Sequence, residues 1–368
     1  MQMIHLFANS PQPTVSSSSG CGALSGCEAL TRNLRHRKLC MLSGCSKFFS
    51  WVLVSLFIWS GFAEHGIAYQ SFSVKDPGLA QITEGRVIAT ISFLASDELA
   101  GRAIGSPEYE IAAAFVASRF RGAGLDGATE GNFYQEVTVD PKWPLKNVVG
   151  ILPGKDPELA KEAIIFSAHL DHLGRKENKG DGIFNGADDN ASGVTAVLTL
   201  ADAFGSMNCN KRTLIFIAFS GEESGLLGSK RYAEQPVWPL EETIAMVNIE
   251  MIGRPEPGAN GKIWMTGWRE SNLGILMNEA SLPMGVEIFQ HPKFSSMLYR
   301  ASDNWPLAEK GVVAHSFSAG SLHSDYHQPD DEWDRLDTKH MTRVIRGLLE
   351  ASVPLSMGSE APVKRAAD

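Results

Sequence analysis

The apolar run at residues 214–219, Leu-Ile-Phe-Ile-Ala-Phe, constrains the fold more than any other stretch of this chain. Continuous runs of this kind are typical of a strand that is buried on both faces of its sheet. Such a strand needs covering layers on both sides, and helical patterns at 194–204 and 226–234 flank it along the chain. The run therefore predicts a buried sheet covered by helices.

Strands and helices alternate in the same way over most of the chain after residue 146. Apolar runs predict further strands at 148–152, 164–168, 244–249, 263–265, 286–290 and 312–317. Amphipathic patterns predict further helices at 273–280, 304–310 and 338–352, and an earlier one at 108–121, before the alternation begins. This alternation predicts the α/β class, as a three-layer sandwich with a mixed, mostly parallel central sheet and helices on both faces.

The first 68 residues have the composition of a leader rather than of a folded domain. Residues 11–19 are rich in Pro and Ser and are predicted to be disordered. A basic stretch at 32–38, an apolar run at 48–59 and small residues at 61–68 follow, in the order that is typical of an export signal. The apolar run is short for a membrane-spanning helix, which favours a cleaved signal over a retained anchor at 48–63. We therefore predict an exported protein, periplasmic or extracellular.

Acidic and imidazole side chains gather where the predicted strands end. His-Leu-Asp-His at 169–172 follows the strand at 164–168, and Gly-Ala-Asp-Asp-Asn at 186–190 precedes the helix at 194–204. Further clusters of this kind lie at 220–225, 248–253, 302–304 and 325–331. The carboxyl ends of parallel strands meet at one edge of a sheet, so residues far apart in sequence can share one site there.

The side chains in these clusters are typical of a metal site. Imidazoles occur with several carboxylates and no useful thiol, a set that suits Zn²⁺, with Mn²⁺ or Co²⁺ as alternatives. The adjacent Glu222 and Glu223 cannot both point the same way at the end of a strand. One can bind a metal while the other acts as general base toward a water whose pKa the metal lowers to about 7. The sequence therefore predicts a metal-dependent hydrolase.

The order and spacing of the motifs are specific, although each motif alone is weak. In chain order they are His-x-Asp-His-x-Gly, Gly-Ala-Asp-Asp-Asn-x-Ser-Gly, Phe-x-Gly-Glu-Glu-x-Gly-Leu-x-Gly-Ser, Asn-Ile-Glu-Met-Ile-Gly, Ser-Asp-Asn and Tyr-His-x-Pro-Asp-Asp. With Leu-Ala-Ser-Asp-Glu-Leu-Ala-Gly-Arg at 94–102, this series strongly resembles the zinc aminopeptidases of peptidase family M28 over roughly 85–345. The resemblance implies a zinc exopeptidase-like fold, two zinc ions per chain and removal of the N-terminal residue from peptide substrates.

The resemblance also implies which residues would bind the metal. His169 would bind one zinc ion and His327 the other, and Asp189, the second aspartate of its pair, would bridge the two. Glu223 would complete one coordination sphere and Glu250 the other. Where Glu250 stands, the best-known members of the family have aspartate, so the longer side chain puts the strength of the second site in question.

Further roles follow from the same resemblance. Glu222 would be the general base, and Tyr326 would donate to the developing oxyanion. Asp171 would support the first zinc-binding histidine from outside the coordination sphere. His172 and Asp303 are supporting candidates, each with a purely structural alternative.

Two positions near the proposed site carry further expectations from the resemblance. Relatives often have histidine where Asn304 stands, which puts a supporting contact rather than a ligand in doubt. Relatives also hold the bridging aspartate before a cis peptide bond, so a cis bond is expected between Asp189 and Asn190.

His323 lies four residues before His327, like a helical zinc pair, but the glycine and proline around them indicate a loop and favour His327 alone.

The predicted elements also suggest the domain limits. Residues 75–356 are predicted to form a single catalytic domain, on which 75–145 packs as an N-terminal helical segment, with a flexible tail at 357–368.

The formal net charge of -9 and the lack of a basic patch argue against a nucleic-acid partner. Contact with a membrane is expected only through the N-terminal signal or anchor.

Other functions on the same fold remain open from the sequence. They are a carboxypeptidase, a single-zinc glutaminyl cyclase and a non-catalytic binding module. The binding module is disfavoured because such a protein should have lost metal ligands, whereas all five candidate ligands and the candidate base are present. The chain has no Gly-x-Ser-x-Gly elbow, His-Glu-x-x-His helix or phosphate-binding loop, which argues against serine hydrolases, thermolysin-like enzymes and nucleotide-binding proteins.

Overall fold

The computed structural model describes residues 77–137, 145–176, 180–320 and 322–365. The leader with its predicted export signal or anchor, residues 1–68, lies outside the described residues. Within the described ranges, no helix combines the length and the apolar character that crossing a membrane requires.

The helices begin and end close to the positions expected from their amphipathic patterns. In chain order the described residues contain α1 (Pro77–Gln81), α2 (Glu84–Leu94), α3 (Pro107–Gly122), α4 (Gly193–Met207), α5 (Leu227–Glu234), α6 (Leu273–Ser281), α7 (Phe294–Met297), α8 (Asn304–Glu309) and α9 (Thr338–Ser356). Ser106 Oγ caps α3 by accepting a hydrogen bond from Tyr109 N at 3.0 Å. Helix α9 runs past its predicted end at 352 because its last turn is buried, which outweighs the hydrogen bond lost at Pro354.

The strands form one large mixed sheet and a small two-stranded one. They are β1 (Asp126–Gly127), β2 (Tyr134–Glu136), β3 (Lys146–Leu152), β4 (Ala163–His169), β5 (Gly174–Arg175), β6 (Ile183–Phe184), β7 (Thr213–Phe219), β8 (Thr243–Ile249), β9 (Lys262–Met265), β10 (Glu287–Phe289) and β11 (Ala314–Ser318). The large sheet has the order β1-β3-β7-β4-β8-β11-β9-β10, with β2 also on β3, and β5 pairs with β6. The central strands β7, β4, β8 and β11 are parallel, whereas β3 and β9 are antiparallel to them. This sheet confirms the predicted fold class.

Strand β7 shows why both faces of the sheet carry helices. Its apolar side chains alternate between the two faces, and all are buried. On one face Phe216 packs among aromatic rings of α3, β4 and α4, with ring centroids 5.3–6.4 Å away. On the other face Ile215 and Ile217 belong to a core cluster that includes Tyr232 of α5 and Leu307 of α8. The central sheet is therefore the middle layer of three.

Polar contacts attach both ends of the described chain to this core. Arg119 of α3 forms a 2.6 Å ion pair with Asp202 of α4, and Arg346 of α9 donates to the carbonyl of Ile82. The tail after α9 was expected to be flexible. Its described part is held against the domain, since Arg365 N donates to the carbonyl of Glu270 at 2.9 Å.

The strand register explains where the site forms. His169 at the end of β4 is level with Phe219 at the end of β7, and Phe317 of β11 is level with Ile249 at the end of β8. The polar loops that follow these four parallel strands therefore start at one edge of the sheet.

Candidate metal centre

The structure brings the five predicted metal ligands together at this edge. His169 ends β4, Glu250 follows β8, and Glu223 lies in the loop after β7. Asp189 lies in the turn before α4, and His327 in the loop after β11. Their ligand atoms fall into two groups that share Asp189, and the atoms of each group lie within 4.8 Å of one another.

The two carboxylate oxygens of Asp189 face different imidazoles. Oδ1 lies 3.2 Å from His169 Nε2, which is itself 3.4 Å from Glu250 Oε2. Oδ2 lies 3.1 Å from His327 Nε2, which is 3.3 Å from Glu223 Oε2. Asp189 therefore has the placement of a carboxylate that could bridge two cations, with one imidazole and one further carboxylate on each side.

Unsatisfied buried atoms support a cation at this place. His327 Nε2 and Glu223 Oε1 are buried without a well-oriented hydrogen bond to any described residue, although charged partners lie near them. Buried polar atoms are usually satisfied, and a bound ion is one explanation for an exception. The nitrogen and carboxylate donors match the ligands that zinc takes in catalytic sites, so the residues present fit this metal.

His172 lies closer to the metal ligands than the sequence indicated. Its Nδ1 is 2.7 Å from Glu223 Oε1 and 3.9 Å from Asp189 Oδ2, which places it in the same group as His327. A Cβ atom on Gly186 would lie 2.4 Å from Cγ of His172, so only glycine permits this approach. The sequence had indicated a supporting or structural residue, and the structure adds a position from which it could itself reach a cation.

Asp171 contacts the site through both its backbone carbonyl and its side-chain carboxylate. His169 Nδ1 contacts the backbone carbonyl of Asp171 at 3.0 Å, not its carboxylate. The buried carboxylate instead accepts hydrogen bonds from the backbone of the next loop, from Gly221 N at 2.7 Å and Glu222 N at 3.2 Å. Asp171 thus fixes the loop that carries the two adjacent glutamates, and its carbonyl orients the histidine.

Three side-chain donors hold the carboxylate of Glu250. Oε1 accepts from Asn248 Nδ2 at 2.9 Å and from Ser302 Oγ at 2.6 Å. Oε2, which faces His169, accepts from Asn190 Nδ2 at 2.6 Å. These donors orient the longer glutamate side chain toward the site. The sequence had not assigned Ser302 or Asn248 a role, and only their placement beside Glu250 reveals it.

Asp303 and Asn304 lie behind the site rather than within the ligand groups. The buried carboxylate of Asp303 accepts a hydrogen bond from Ser229 Oγ at 2.5 Å, and burial raises its pKa to about 7. Asn304 donates to the carbonyl of Tyr299 and accepts from Ser316 Oγ at 2.8 Å. Both residues therefore brace the walls of the site.

Glu222 and Tyr326 line the pocket beside the ligands. Glu222 belongs to neither ligand group, while its neighbour Glu223 faces His172 and His327. Burial raises the pKa of Glu222 well above that of an ordinary glutamate. The Tyr326 ring stacks on His327 with 3.9 Å between centroids, and burial with the nearby carboxylates raises the pKa of its hydroxyl. The hydroxyl therefore stays protonated at neutral pH.

The turn that carries Asp189 is fixed from both sides. The Asp331 carboxylate accepts hydrogen bonds at 3.1 Å from Asp188 N and Asp189 N. Asn190 Nδ2 donates to the carbonyl of Ile249, and the Asp189–Asn190 peptide bond is cis, as expected. Asp331 was not singled out in the sequence, although it belongs to the last motif.

Arginines hold the loop that carries His327. Asp325 accepts from Arg254 Nη1 at 2.7 Å and from Arg335 Nη1 at 3.2 Å. His323 faces Asp188, with 3.3 Å between Nε2 and Oδ2, and is absent from both ligand groups. The loop conformation agrees with the expectation that His327 alone would approach the metal.

Arg102 joins three segments of the site from behind. It is fully buried, and Nε donates to the carbonyl of Leu170 at 2.9 Å. Nη1 donates to the carbonyls of Asn185, at 2.7 Å, and Leu94, and Nη2 donates to that of Gly186 at 3.1 Å. Burial lowers the pKa of this guanidinium to about 10, so it stays charged at neutral pH. One side chain therefore ties the histidine loop and the Asp189 loop to the N-terminal segment.

We expect Arg102→Met to weaken metal binding by about 10–100-fold, because the two ligand-bearing loops lose their common donor. The measurement is the zinc dissociation constant of the purified protein, by competition with a chelator of known affinity. The matched control is Arg119→Met, which removes a half-buried guanidinium that pairs with Asp202 away from the site. A folded Arg102→Met protein with unchanged zinc affinity would contradict this role.

Without a metal, the facing groups of the site shift each other's pKa. Contacts with Asp189 and Glu223 raise the pKa of His327 to about 9. Burial opposes charging of His169, but the carboxylates of Glu250 and Glu222 raise its pKa well above the usual range. Burial also opposes charging of Asp189, yet its contacts with the two imidazoles hold its pKa well below that of an ordinary aspartate. At neutral pH these imidazoles are therefore protonated in the metal-free protein.

A metal can bind these imidazoles only after their protons leave, so we expect zinc binding to release protons at pH 7. The raised pKa of His327, about 9, means that zinc affinity should rise with pH between 6 and 8.5. Titration calorimetry in buffers of different ionisation enthalpy counts the released protons. Zinc binding without proton release at pH 7 would contradict protonated imidazoles in the metal-free protein.

Known proteins are similar in sequence to part of this chain. A "Probable leucine aminopeptidase" of Arthroderma otae is 27% identical over 236 residues, which cover 59% of this chain and 59% of the relative. A "Probable zinc metalloprotease" of Pyrenophora teres f. teres is 34% identical over 110 residues, or 30% of this chain and 23% of the relative. The chain thus spans about three fifths of the length of the leucine aminopeptidase relative.

Solved structures share the fold. LapB from Legionella pneumophila has a TM-score of 0.62 at 22% identity, covering 80% of this chain and 78% of LapB. BSAP, a zinc aminopeptidase from Bacillus subtilis, has a TM-score of 0.59 at 17% identity, covering 74% and 95%. The glutaminyl cyclase of Porphyromonas gingivalis also has a TM-score of 0.59, at 16% identity, covering 74% and 98%. The fold by itself therefore does not choose between the two activities.

The family assignment rests on a longer match. The model described as peptidase family M28 matches residues 147–352, which is more than half of the chain and includes every predicted metal ligand. Together with the fold and the grouping of the ligands, this match identifies the chain as a member of peptidase family M28.

Proposed function

We propose that this protein is a metal-dependent aminopeptidase that removes the N-terminal residue from peptides and uses two zinc ions per chain. The observation that carries the proposal is Asp189, whose two oxygens each face a separate imidazole and carboxylate. Relatives named leucine aminopeptidase and zinc metalloprotease support the same reading.

Two sets of residues would hold the metals. His169, Asp189 and Glu250 would form one site, and Asp189, Glu223 and His327 the other, with His172 beside the second. Bound zinc supplies Lewis acidity and lowers the pKa of a water toward about 7.

We assign to Glu222 the transfer of the proton that hydrolysis requires. It lines the pocket next to both ligand groups without belonging to either. A carboxylate there can take a proton from the attacking water and pass it to the leaving amine. The protonated hydroxyl of Tyr326, in the same pocket, is a donor for the oxyanion that forms at the substrate carbonyl.

The pocket at the metal site favours an apolar substrate side chain. It is a cavity of about 110 Å³ whose apolar lining comes from Met251, Trp264, Leu298, Ala301 and Leu322. Its serine hydroxyls are engaged inside the protein, for example that of Ser318 with the carbonyl of Met251. We therefore propose uncharged, apolar N-terminal residues as the preferred substrates.

The same pocket disfavours a carboxypeptidase. Its described lining contains no lysine or arginine that could bind the terminal carboxylate of a peptide. A single-zinc glutaminyl cyclase is the second candidate because cyclases share the fold. Two ligand groups around one shared carboxylate favour the two-metal peptidase.

We also propose that the protein is exported. This proposal rests on the leader, in which a basic stretch, an apolar run and small residues follow one another.

A substrate panel tests the proposal on the zinc-loaded protein. We expect release of leucine and phenylalanine from substrates with a free N-terminus, at least about tenfold faster than of lysine or aspartate, and none from N-acetylated forms. A chelator should abolish turnover and zinc should restore it, with two zinc ions per active chain by metal analysis. Cyclisation of N-terminal glutamine without peptide hydrolysis would show that the protein is a glutaminyl cyclase and not a peptidase.

Glu222→Gln should keep both metals and lose about 10²–10⁴-fold in kcat, because the amide cannot accept the proton of water. Zinc content and kcat are measured on the same preparation. Glu241→Gln, at an exposed position before β8, makes the same chemical change and should keep wild-type activity. Near-normal turnover by Glu222→Gln would remove Glu222 from the mechanism.

A further inference from the structure

A second and larger cleft lies beside the metal-site pocket. Its volume is about 650 Å³, against about 110 Å³ for the pocket at the metal. Segment 298–302 separates the two, with Tyr299 and Arg300 facing the cleft and its other residues lining the pocket. The proposed peptidase chemistry assigns no role to this cleft.

Positive charge is concentrated in the lining of the cleft. The cations are Arg269, Arg300, Lys364 and Arg365, and the only carboxylate in the described lining is that of Glu270. Among the described residues, none of these four cations forms an ion pair. Unpaired like charges around one space repel each other. Such a group is unexpected in a chain whose formal net charge is -9.

An aromatic contact holds one of these cations, and backbone hydrogen bonds hold the segment that carries two others. The guanidinium of Arg300 lies over the ring of Trp305, 4.6 Å from its centroid. The chain at Lys364 and Arg365 runs along the wall, because Asn272 N donates to the carbonyl of Val363 and Arg365 N to that of Glu270. The positive groups therefore sit on ordered segments rather than on a free tail.

Aromatic rings form a rigid wall behind the charges. Tyr299 stacks on His315 with 5.5 Å between centroids and meets Trp305 edge-on at 5.6 Å. His315 is buried and bonded on both ring nitrogens, at 2.8 Å to Ser271 Oγ and 2.8 Å to the carbonyl of Thr266. Burial lowers the pKa of His315 to about 4, so the imidazole is neutral and leaves the four side chains as the source of positive charge.

We propose that this cleft binds a small organic anion that carries at least two carboxylate or phosphate groups. Guanidinium groups bind such oxyanions through paired hydrogen bonds, and three of the four cations are arginines. The volume lies within the range of roughly 300–1,000 Å³ that is typical of small-molecule sites. The negative net charge of the chain disfavours nucleic acid or an anionic membrane as the ligand. The proposal does not depend on the peptidase function.

Calorimetry on the zinc-loaded full chain tests the proposal with three probes. Benzene-1,3,5-tricarboxylate and 1,4-phenylenediphosphonate carry the two kinds of anionic group, and benzene-1,3,5-tricarboxamide is the neutral control. We expect saturable binding of at least one anion at one site per chain and none of the amide. The tighter anion identifies the group that the cleft prefers.

Charge reversal locates the binding. The double variant Arg269→Glu/Lys364→Glu should weaken anion binding by at least about tenfold. The control Lys155→Glu/Lys230→Glu changes net charge equally at two exposed lysines outside the lining and should bind as the wild type does. If reversal unfolds the chain, Arg269→Gln/Lys364→Gln makes the same test without new charge.

Three results would overturn the proposal. They are equal binding of the neutral amide, equal loss of binding in the control variant, and binding that disappears with zinc removal but ignores Arg269 and Lys364. The last result would place the anion on the metal site. Wild-type thermal unfolding and peptidase turnover in the reversed variant would show that only the cleft has changed.

Discussion

The placement of one buried carboxylate, that of Asp189, is the constraint on which the rest of the site depends. Its oxygens face His169, which ends β4, and His327, which lies in the loop after β11; only β8 separates these two strands in the sheet. A buried carboxylate needs such partners, because charge is costly in a medium of low polarity. The turn that presents it is in turn fixed by Asp331 on one side and by Asn190 on the other. Hydrogen bonds within the protein therefore fix the turn that carries Asp189.

A residue outside the part of the chain that matches the family supports the site. That match begins at residue 147, yet the carbonyls of Leu170, Asn185 and Gly186 are held by Arg102. One buried guanidinium with its donors in a fixed plane can satisfy carbonyls from several loops at once, which no backbone group in those loops could do. The N-terminal helical segment is thus part of the support of the site as well as a cover for the sheet.

Adjacent acids in this site differ in role because the backbone points them in different directions. Glu223 contacts the imidazoles, whereas Glu222 lines the pocket beside the ligand groups, where burial raises its pKa. Asp171 sets this division by binding the backbone of their loop. The same principle extends to segment 298–302, where Ser302 orients Glu250 on one side and Arg300 faces the basic cleft on the other.

The sequence by itself determined the α/β class, the order of the main strands and helices, and the set of candidate ligand types at the strand ends. Periodicity and motif spacing are local properties, so they can be read from the sequence alone. Only the tertiary structure decided that His172 approaches Glu223, that Asp171 supports His169 through its carbonyl, and that four cations from three distant segments share one cleft. These facts depend on distances between segments that are far apart in the chain and on which atom of a residue points inward. A local sequence pattern contains neither kind of information.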